Sequence, residues 1–341
     1  MKKNPLVSII ILNWNGKRWL KGCLPTIRRV KYEPIEVIVV NNGSTDDSAS
    51  FLHNNFPEVK VVEIKKNVGY AAANNIGVKN ASGEYVLLIN NDTKVTANFL
   101  KPLVDALEKD QSIGVIQPQV RSLINTRLLD SVVSYLTSTG FMYHFGYMKP
   151  WKNKKYQKRM YGFSIKGACF MMRRKEYINL GGLDEDFVCY VEESDLCYRV
   201  WLSGKKVMYE PGSIMYHWGG GDMQVMTKDE VTMLRSYRNR FLLFVKNASI
   251  TQLIKILPIL FIFCEGFILM SLIKGNLKSA LGAQLGVLSV PFTLPKMLKK
   301  RRYIQKNIRK VTDQEINKYV LRNPRLSYYY FFFNNPKGYR D

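Results

Sequence analysis

The chain has 341 residues, 46% of them hydrophobic and 12% aromatic, with a formal charge of +24 at pH 7. That much apolar material builds one large domain or two modest ones and excludes a disordered chain. The charge calls for an anionic partner: nucleotide phosphates, nucleic acid or an acidic membrane surface.

Leu6–Leu12 is an apolar run too short for a signal peptide, and Asn13-Trp14-Asn15-Gly16 follows where a cleavage site would be needed, so the run reads as a first strand. The five cysteines, an odd number with no C-x-x-C pair, are then expected as reduced thiols of a cytosolic core. A helix is predicted from about Arg18 to Arg29, closed by Pro34. Glu36–Val40 is a second strand. It ends in Asn41-Asn42-Gly43-Ser44-Thr45-Asp46-Asp47, where Ser44 or Thr45 is expected to cap a helix carrying Asp46 and Asp47 in its first turn. Lys60–Ile64 is a third strand, and Asn67-Val68-Gly69-Tyr70 opens the next helix, whose small Ala71–Ala73 let it lie close to a sheet.

Tyr85–Ile89 is apolar without alternation, as in a strand buried on both faces of a parallel sheet, and it stops in Asn90-Asn91-Asp92. On its own, Asn90–Thr93 reads as a turn and helix cap before Ala97–Leu107. Strands alternating with helices, without hairpin signals, predict an α/β fold with a mostly parallel sheet covered on both faces. Ligands bind such sheets just beyond the carboxyl ends of the strands. Asn13, Asn41 and Asn91-Asp92 converge there. Asparagine amides beside Trp14 suit a flat heterocycle, and Asp92 suits the cation on attached phosphates. Neither G-x-G-x-x-G nor G-x-x-x-x-G-K-[ST] is present.

VSIIILNWNG (7–16), VVNNGSTDDS (39–48), NVGYAAANNIG (67–77) and LLINNDT (87–93) resemble, in order and spacing, the motifs of family 2 glycosyltransferases, and the resemblance extends over roughly residues 6–240. The pattern is most similar to the rhamnosyltransferase-like subgroup of surface polysaccharide assembly. The resemblance implies a GT-A fold, with Asn13, Trp14, Asn41, Asn67 and Asn91 around a nucleotide-diphosphate sugar and Mg²⁺ or Mn²⁺ on a D-x-D-like motif. Two positions depart from the family. Asn41 stands where Asp is usual, and Asn90-Asn91-Asp92 keeps only the last acid of the metal motif. The donor phosphates must then supply more of the coordination, as is usual for Mg²⁺.

Gly167–Arg174 reads as another strand. Glu192, Glu193 and Asp195 then crowd the start of a helix within Tyr190–Trp201. The helix dipole accounts for one or two of them, and close like charges raise one pKa, which suits a general base. In the family's E-D-x-D pattern the second acid is the base. That position is Glu193, with Glu192 beside it, while Asp195 and Arg199 brace the helix. Two short strands, Lys206–Tyr209 and Ser213–Tyr216, precede His217-Trp218-Gly219-Gly220-Gly221. A lone histidine is more often structural, but the resemblance makes His217 a second ligand for the metal or diphosphate. His53 and His144 read as structural. Residues 121–163, rich in aromatic and basic side chains, read either as a surface insertion or as a loop facing the acceptor. The implied reaction is inverting transfer of a sugar to a hydroxyl of a glycan or lipid-linked acceptor.

Composition shifts after residue 240. Leu253–Ile273 is nearly all apolar, Ala280–Pro295 is a shorter apolar stretch, and Lys296, Lys299, Lys300, Arg301, Arg302, Lys306, Arg309 and Lys310 follow. One transmembrane span would separate this basic cluster from a catalytic domain at 1–240. In-plane helices or a re-entrant hairpin at 241–341 keep both at the cytoplasmic face of the membrane, with the cluster on acidic head groups. The plainer alternative is a helical subdomain on the catalytic core. Tyr328–Phe333 reads as an interfacial anchor or a docked tail. Two other classes compete. A nucleic-acid-binding protein would carry a recognisable module, and none is present. A non-catalytic nucleotide-sugar binder is prompted by Asn41 and Asn91.

Overall fold

The computed structural model describes residues 3–219, 229–325 and 327–329. Its first half alternates as predicted: β1 (Val7–Asn13), α1 (Lys17–Ile27), β2 (Ile35–Asn42), α2 (Ser48–Asn55), β3 (Lys60–Ile64), α3 (Tyr70–Lys79) and β4 (Tyr85–Asn90). Next come β5 (Thr93–Val95), α4 (Leu100–Lys109), β6 (Ile113–Ser122), β7 (Leu129–Ser131), β8 (Val133–Leu136), β9 (Met142–Phe145), β10 (Met160–Tyr161), β11 (Cys169–Arg173), α5 (Arg174–Asn179), α6 (Glu192–Leu202) and β12 (Lys206–His217). The rest is helical: α7 (Asp229–Asn247), α8 (Ile250–Ile273), α9 (Leu277–Leu288), α10 (Val290–Tyr303) and α11 (Asp313–Val320).

The main sheet runs β10-β12-β6-β11-β4-β1-β2-β3. β4, β1, β2 and β3 are parallel, as are β6 and β12. β11 is reversed between β4 and β6, so its first residues lie at the carboxyl edge, where Asn90 N–H donates to Ala168 O at 3.0 Å. β1 and β4 are buried on both faces. Leu20, Cys23, Leu24 and Ile27 of α1 seal one side. The small residues of α3 allow close approach on the other: a Cβ on Gly77 would stand 2.5 Å from Ile10 Cγ2. All five cysteines are buried and unpaired.

Two local expectations change. α2 begins at Ser48, later than the predicted cap, because Ser44 Oγ donates to Asn41 Oδ1 at 2.5 Å and Asp46 accepts from both Lys17 N and Ser48 N. The two short strands before His217 are one strand, since both ends pair with β6 across an irregularity near Glu210. Residues 121–163, read either as a surface insertion or as a loop facing the acceptor, carry a small core of their own: Leu129, Val133, Tyr135, Phe145 and Tyr156 pack with Tyr209 of β12.

The C-terminal helices pack on the helices that cover the sheet. One apolar cluster runs from Ile10 through Trp201 of α6 and Phe244 of α7 to Leu260, Ala283 and Met297. α9 crosses α7 at backbone distance, where a Cβ on Gly282 would meet Glu230 O at 2.3 Å. Residue 240 therefore lies inside a helix shared by both regions. Half of the basic cluster is spent internally. Lys296 and Lys300 pair with Asp186 and Asp184, Arg301 donates to Val245 O and Ala248 O, and Arg309 pairs with Asp313. Lys299, Arg302, Lys306 and Lys310 form no ion pair among the described residues. Tyr328 docks on the core, donating to Met142 O at 2.6 Å, while 330–333 lie outside the described residues.

Candidate active site

Parallel strands share a direction, so the ends of β1, β2 and β4 meet on one edge. Asn91 Nδ2 donates to Asn13 Oδ1 (2.9 Å), Asn13 Nδ2 to Asn41 Oδ1 (3.1 Å), and Asn41 Nδ2 to Glu63 Oε2 (2.9 Å), an amide chain across four strands. A Cβ on Gly16 would fall 2.2 Å from Asn91 Nδ2, so only glycine lets the first link form. Asn13 and Asn41 are buried, and their amides are occupied by these bonds. They stand behind the wall of the site rather than on it, and Asn42 lines the wall instead. An uncharged residue at position 41 can join an amide chain, and the nearest carboxylate is supplied one strand away by Glu63.

In front of that chain is a cleft of about 930 Å³. It gathers Trp14, Asn67, Asn91, Asp92, Glu192, Glu193 and His217, all proposed from the sequence. The short β5, read from sequence as a turn, explains why His217 arrives: it pairs antiparallel with β12 and sets His217 opposite Thr93. His217 Nε2 lies 3.3 Å from Asp92 Oδ1. That oxygen is buried and makes no aligned hydrogen bond among the described residues.

The other ring nitrogen, Nδ1, lies 2.7 Å from Asp130 Oδ2, whose second oxygen accepts from Lys166 Nζ at 3.1 Å. Asp130 sits on β7, in the segment that carried no readable pattern, and nothing in the sequence pairs it with His217. Burial alone would lower the His217 pKa, but the hydrogen bond to Asp130, the close approach of Asp92 and the charges of both raise it to about 9. The imidazole thus carries positive charge between two carboxylates. A divalent ion would take the place of the Nε2 proton, with one carboxylate oxygen and one imidazole nitrogen as its donors and Asp130 holding the Nδ1 side of the ring. Among the described residues no group of three or more acidic, histidine or cysteine ligands exists, so water and phosphate oxygens would complete the shell.

Glu192 and Glu193 open α6 and line the same cleft. Burial pushes the Glu193 carboxyl up to about 7, with Lys166 and a backbone hydrogen bond opposing the rise. Burial and then the Glu193 charge hold Glu192 well above the carboxylate range. The approach to α6 is strained: Val188, Tyr190 and Val191 all have positive φ (61°, 71° and 73°), two of them β-branched. Asn239, fully buried on α7, holds this turn with one amide that donates to Phe187 O, Cys189 O and Tyr190 O at 2.8–3.0 Å. Asp195 faces away from the cleft. It accepts from Arg199 and Lys246 at 2.7 Å and from Asn247 at 2.8 Å, which locks α6 to α7. His144, read as structural, lines the cleft, whereas His53 is a surface residue.

A mostly parallel sheet in this order, covered by helices and with its cleft at the strand ends, is a GT-A fold. The fold is shared with GalNAc-T7 in complex with UDP, GalNAc and Mn²⁺ (TM-score 0.59, 16% identity, 94% of this chain and 59% of that one). It is also shared with the mannosyltransferase PcManGT from Pyrobaculum calidifontis in complex with GDP-Man and Mn²⁺ (TM-score 0.53, 16% identity, 89% and 86%). The family model for glycosyl transferase family 2 matches residues 8–181, and the chain belongs to that family. The poly-beta-1,6-N-acetyl-D-glucosamine synthase of Staphylococcus aureus (strain COL) is 21% identical over 255 residues. That match covers 68% of this chain and 58% of the synthase, so the chain spans less than two thirds of this relative's length.

Proposed function

We propose that the chain is a metal-dependent inverting glycosyltransferase of cell-surface polysaccharide synthesis. It moves a hexose, on the motif pattern a rhamnose, from a nucleotide-diphosphate sugar to a hydroxyl of a glycan or lipid-linked acceptor. The observation that carries this reading is the meeting of Asp92 and His217 at 3.3 Å in the cleft that also holds Glu193. Family membership supports the transfer chemistry, and the names of the relatives support a nucleotide-sugar donor and a surface polysaccharide.

Trp14, Asn42 and Asn67 bind the nucleoside. Asp92 and His217 would hold Mg²⁺ or Mn²⁺, which when bound would offset the charge of the departing diphosphate. Glu193 takes the proton of the acceptor hydroxyl, which attacks the anomeric carbon from the face opposite the leaving group. Burial and the Glu193 charge hold the Glu192 carboxyl well above the carboxylate range and Asp92 would face the cation, so neither suits the nucleophile of a double displacement. Incubation with labelled nucleotide-diphosphate sugars should consume one of them in Mn²⁺ and none in EDTA. Consumption that ignores EDTA, or no consumption of any donor, would overturn the reading.

For residues 241–341 we propose attachment to the cytoplasmic membrane face, with 1–240 as the catalytic domain. α8 is the one described helix long and apolar enough to cross a bilayer, and α9 and α10 meet at a 47° bend. Ile254, Ile262, Ile273, Leu277, Leu281 and Phe292 stand exposed along these helices, Phe292 at 88%. Exposed apolar rows beside unpaired Lys299, Arg302, Lys306 and Lys310 match an anionic bilayer surface lying along the helices. The full chain should co-sediment with vesicles containing phosphatidylglycerol, and Phe292→Ser with Leu281→Ser should reduce the bound fraction several-fold; equal sedimentation with neutral vesicles or RNA would contradict this.

A further inference from the structure

We propose that the end of the cleft beyond Glu193 is an anion subsite, formed by Arg240, Lys166 and His144, which receives a phosphate group carried by the acceptor. This deepens the transferase reading and rests on it for the identity of the substrate. The three side chains come from separate elements: Arg240 from α7, Lys166 from the turn before β11, His144 from β9. All line the same cleft, as does Arg235.

Each is held in place. The Arg240 guanidinium lies over the Phe141 ring at 4.6 Å and the Tyr237 ring at 5.3 Å. Lys166 Nζ is anchored by Asp130 at 3.1 Å and stands 5.8 Å over the Tyr147 ring. His144 Nδ1 is 2.8 Å from Ser134 Oγ. The groups are close enough that, after burial, Lys166 and Arg240 are the main influences lowering the His144 pKa to about 4.

The charge around them does not balance. Four carboxyl groups line the cleft: Asp92, Asp130, Glu192 and Glu193. Asp92 faces His217, Asp130 is divided between His217 and Lys166, Glu193 acts on Lys166, and burial with the Glu193 charge holds the Glu192 carboxyl well above the carboxylate range. Neither Arg235 nor Arg240 has a carboxylate partner among the described residues. Two guanidinium groups without a carboxylate of their own, beside an ammonium shared between Asp130 and Glu193, create a potential in a partly desolvated cleft that an anion relieves. A guanidinium fork with an ammonium point charge is the pairing that phosphate geometry favours. Lys166 also feels the Glu193 charge, which puts the subsite beside the base. A phosphate bound there presents another part of its own molecule, a hydroxyl, to Glu193.

The test uses the full chain, with Mn²⁺ and the nucleoside diphosphate that gives the largest thermal shift. Glycerol 3-phosphate, glycerol and inorganic phosphate are titrated by calorimetry with and without that nucleotide. The proposal expects glycerol 3-phosphate and phosphate to bind with the nucleotide already in place, and glycerol not to bind. Arg240→Gln should weaken both phosphate probes about tenfold, with Arg240→Lys intermediate and nucleotide affinity unchanged. Competition between the probes and the nucleotide, with Arg240→Gln weakening the nucleotide instead, would assign these cations to the donor diphosphate and overturn the acceptor assignment. Unaltered probe binding in an Arg240→Gln protein of unchanged Tm would overturn the subsite altogether. If no nucleoside diphosphate binds, the transferase reading fails, and the phosphate titration alone still decides whether the subsite exists.

Discussion

Glu193→Gln is expected to lower kcat by about 10²–10⁴-fold while leaving nucleoside diphosphate affinity within about twofold, because it removes a proton acceptor and keeps shape. Only the ionised carboxylate accepts the proton, and burial lifts the Glu193 pKa to about 7. kcat/KM should therefore rise with pH, reach half its plateau near 7 and stay flat above, and that limb should vanish in Glu193→Gln. Glu192→Gln gives the control. Gln keeps the shape of Glu192, whose carboxyl burial and the Glu193 charge hold well above the carboxylate range. It should keep activity within about tenfold of the parent. Equal losses in the two variants would remove the distinction between base and neighbour.

Asp92→Ala is the second large effect. It deletes the only acid of the Asn90-Asn91-Asp92 motif and the carboxylate facing His217 Nε2. A lost metal ligand takes with it the charge stabilisation of the leaving diphosphate, so kcat/KM should fall by about 10³-fold or more. Mn²⁺ affinity, measured by electron paramagnetic resonance with the nucleotide present, should fall in parallel. Asp92→Asn removes the charge but keeps an oxygen, and should recover part of the Mn²⁺ affinity. Full activity in Asp92→Ala would place the cation elsewhere.

The strand ends were legible because buried parallel strands have an unbroken apolar code, and the polar residues that stop each run mark the edge where ligands bind. Val7–Asn13 and Tyr85–Asn90 show this. What the sequence hid is pairing between distant short elements. β5 is three residues long and has no strand signature, yet its register against β12 brings His217 to Asp92. Asp130 and His144 belong to β7 and β9, strands of three and four residues within a segment whose apolar residues close a small core of their own. Asn13 and Asn41 illustrate a different limit. Position at a strand end is readable, but whether an amide faces the ligand or its neighbour depends on side-chain pairing that no spacing encodes. The basic cluster shows the same limit for charge: Lys296 and Lys300 look free in sequence and are consumed by Asp186 and Asp184.

The central claim is spatial: Asp92 and His217 grip one divalent ion on the nucleotide diphosphate, in the same cleft as Glu193. Anomalous diffraction from crystals soaked with Mn²⁺ and nucleoside diphosphate tests it directly. The account predicts a single manganese peak bonded to both Asp92 and His217 Nε2, with diphosphate oxygens in its shell and Glu193 in the same cleft with no bond to it. A peak away from His217, or nucleotide bound in the cleft without any manganese, would contradict it.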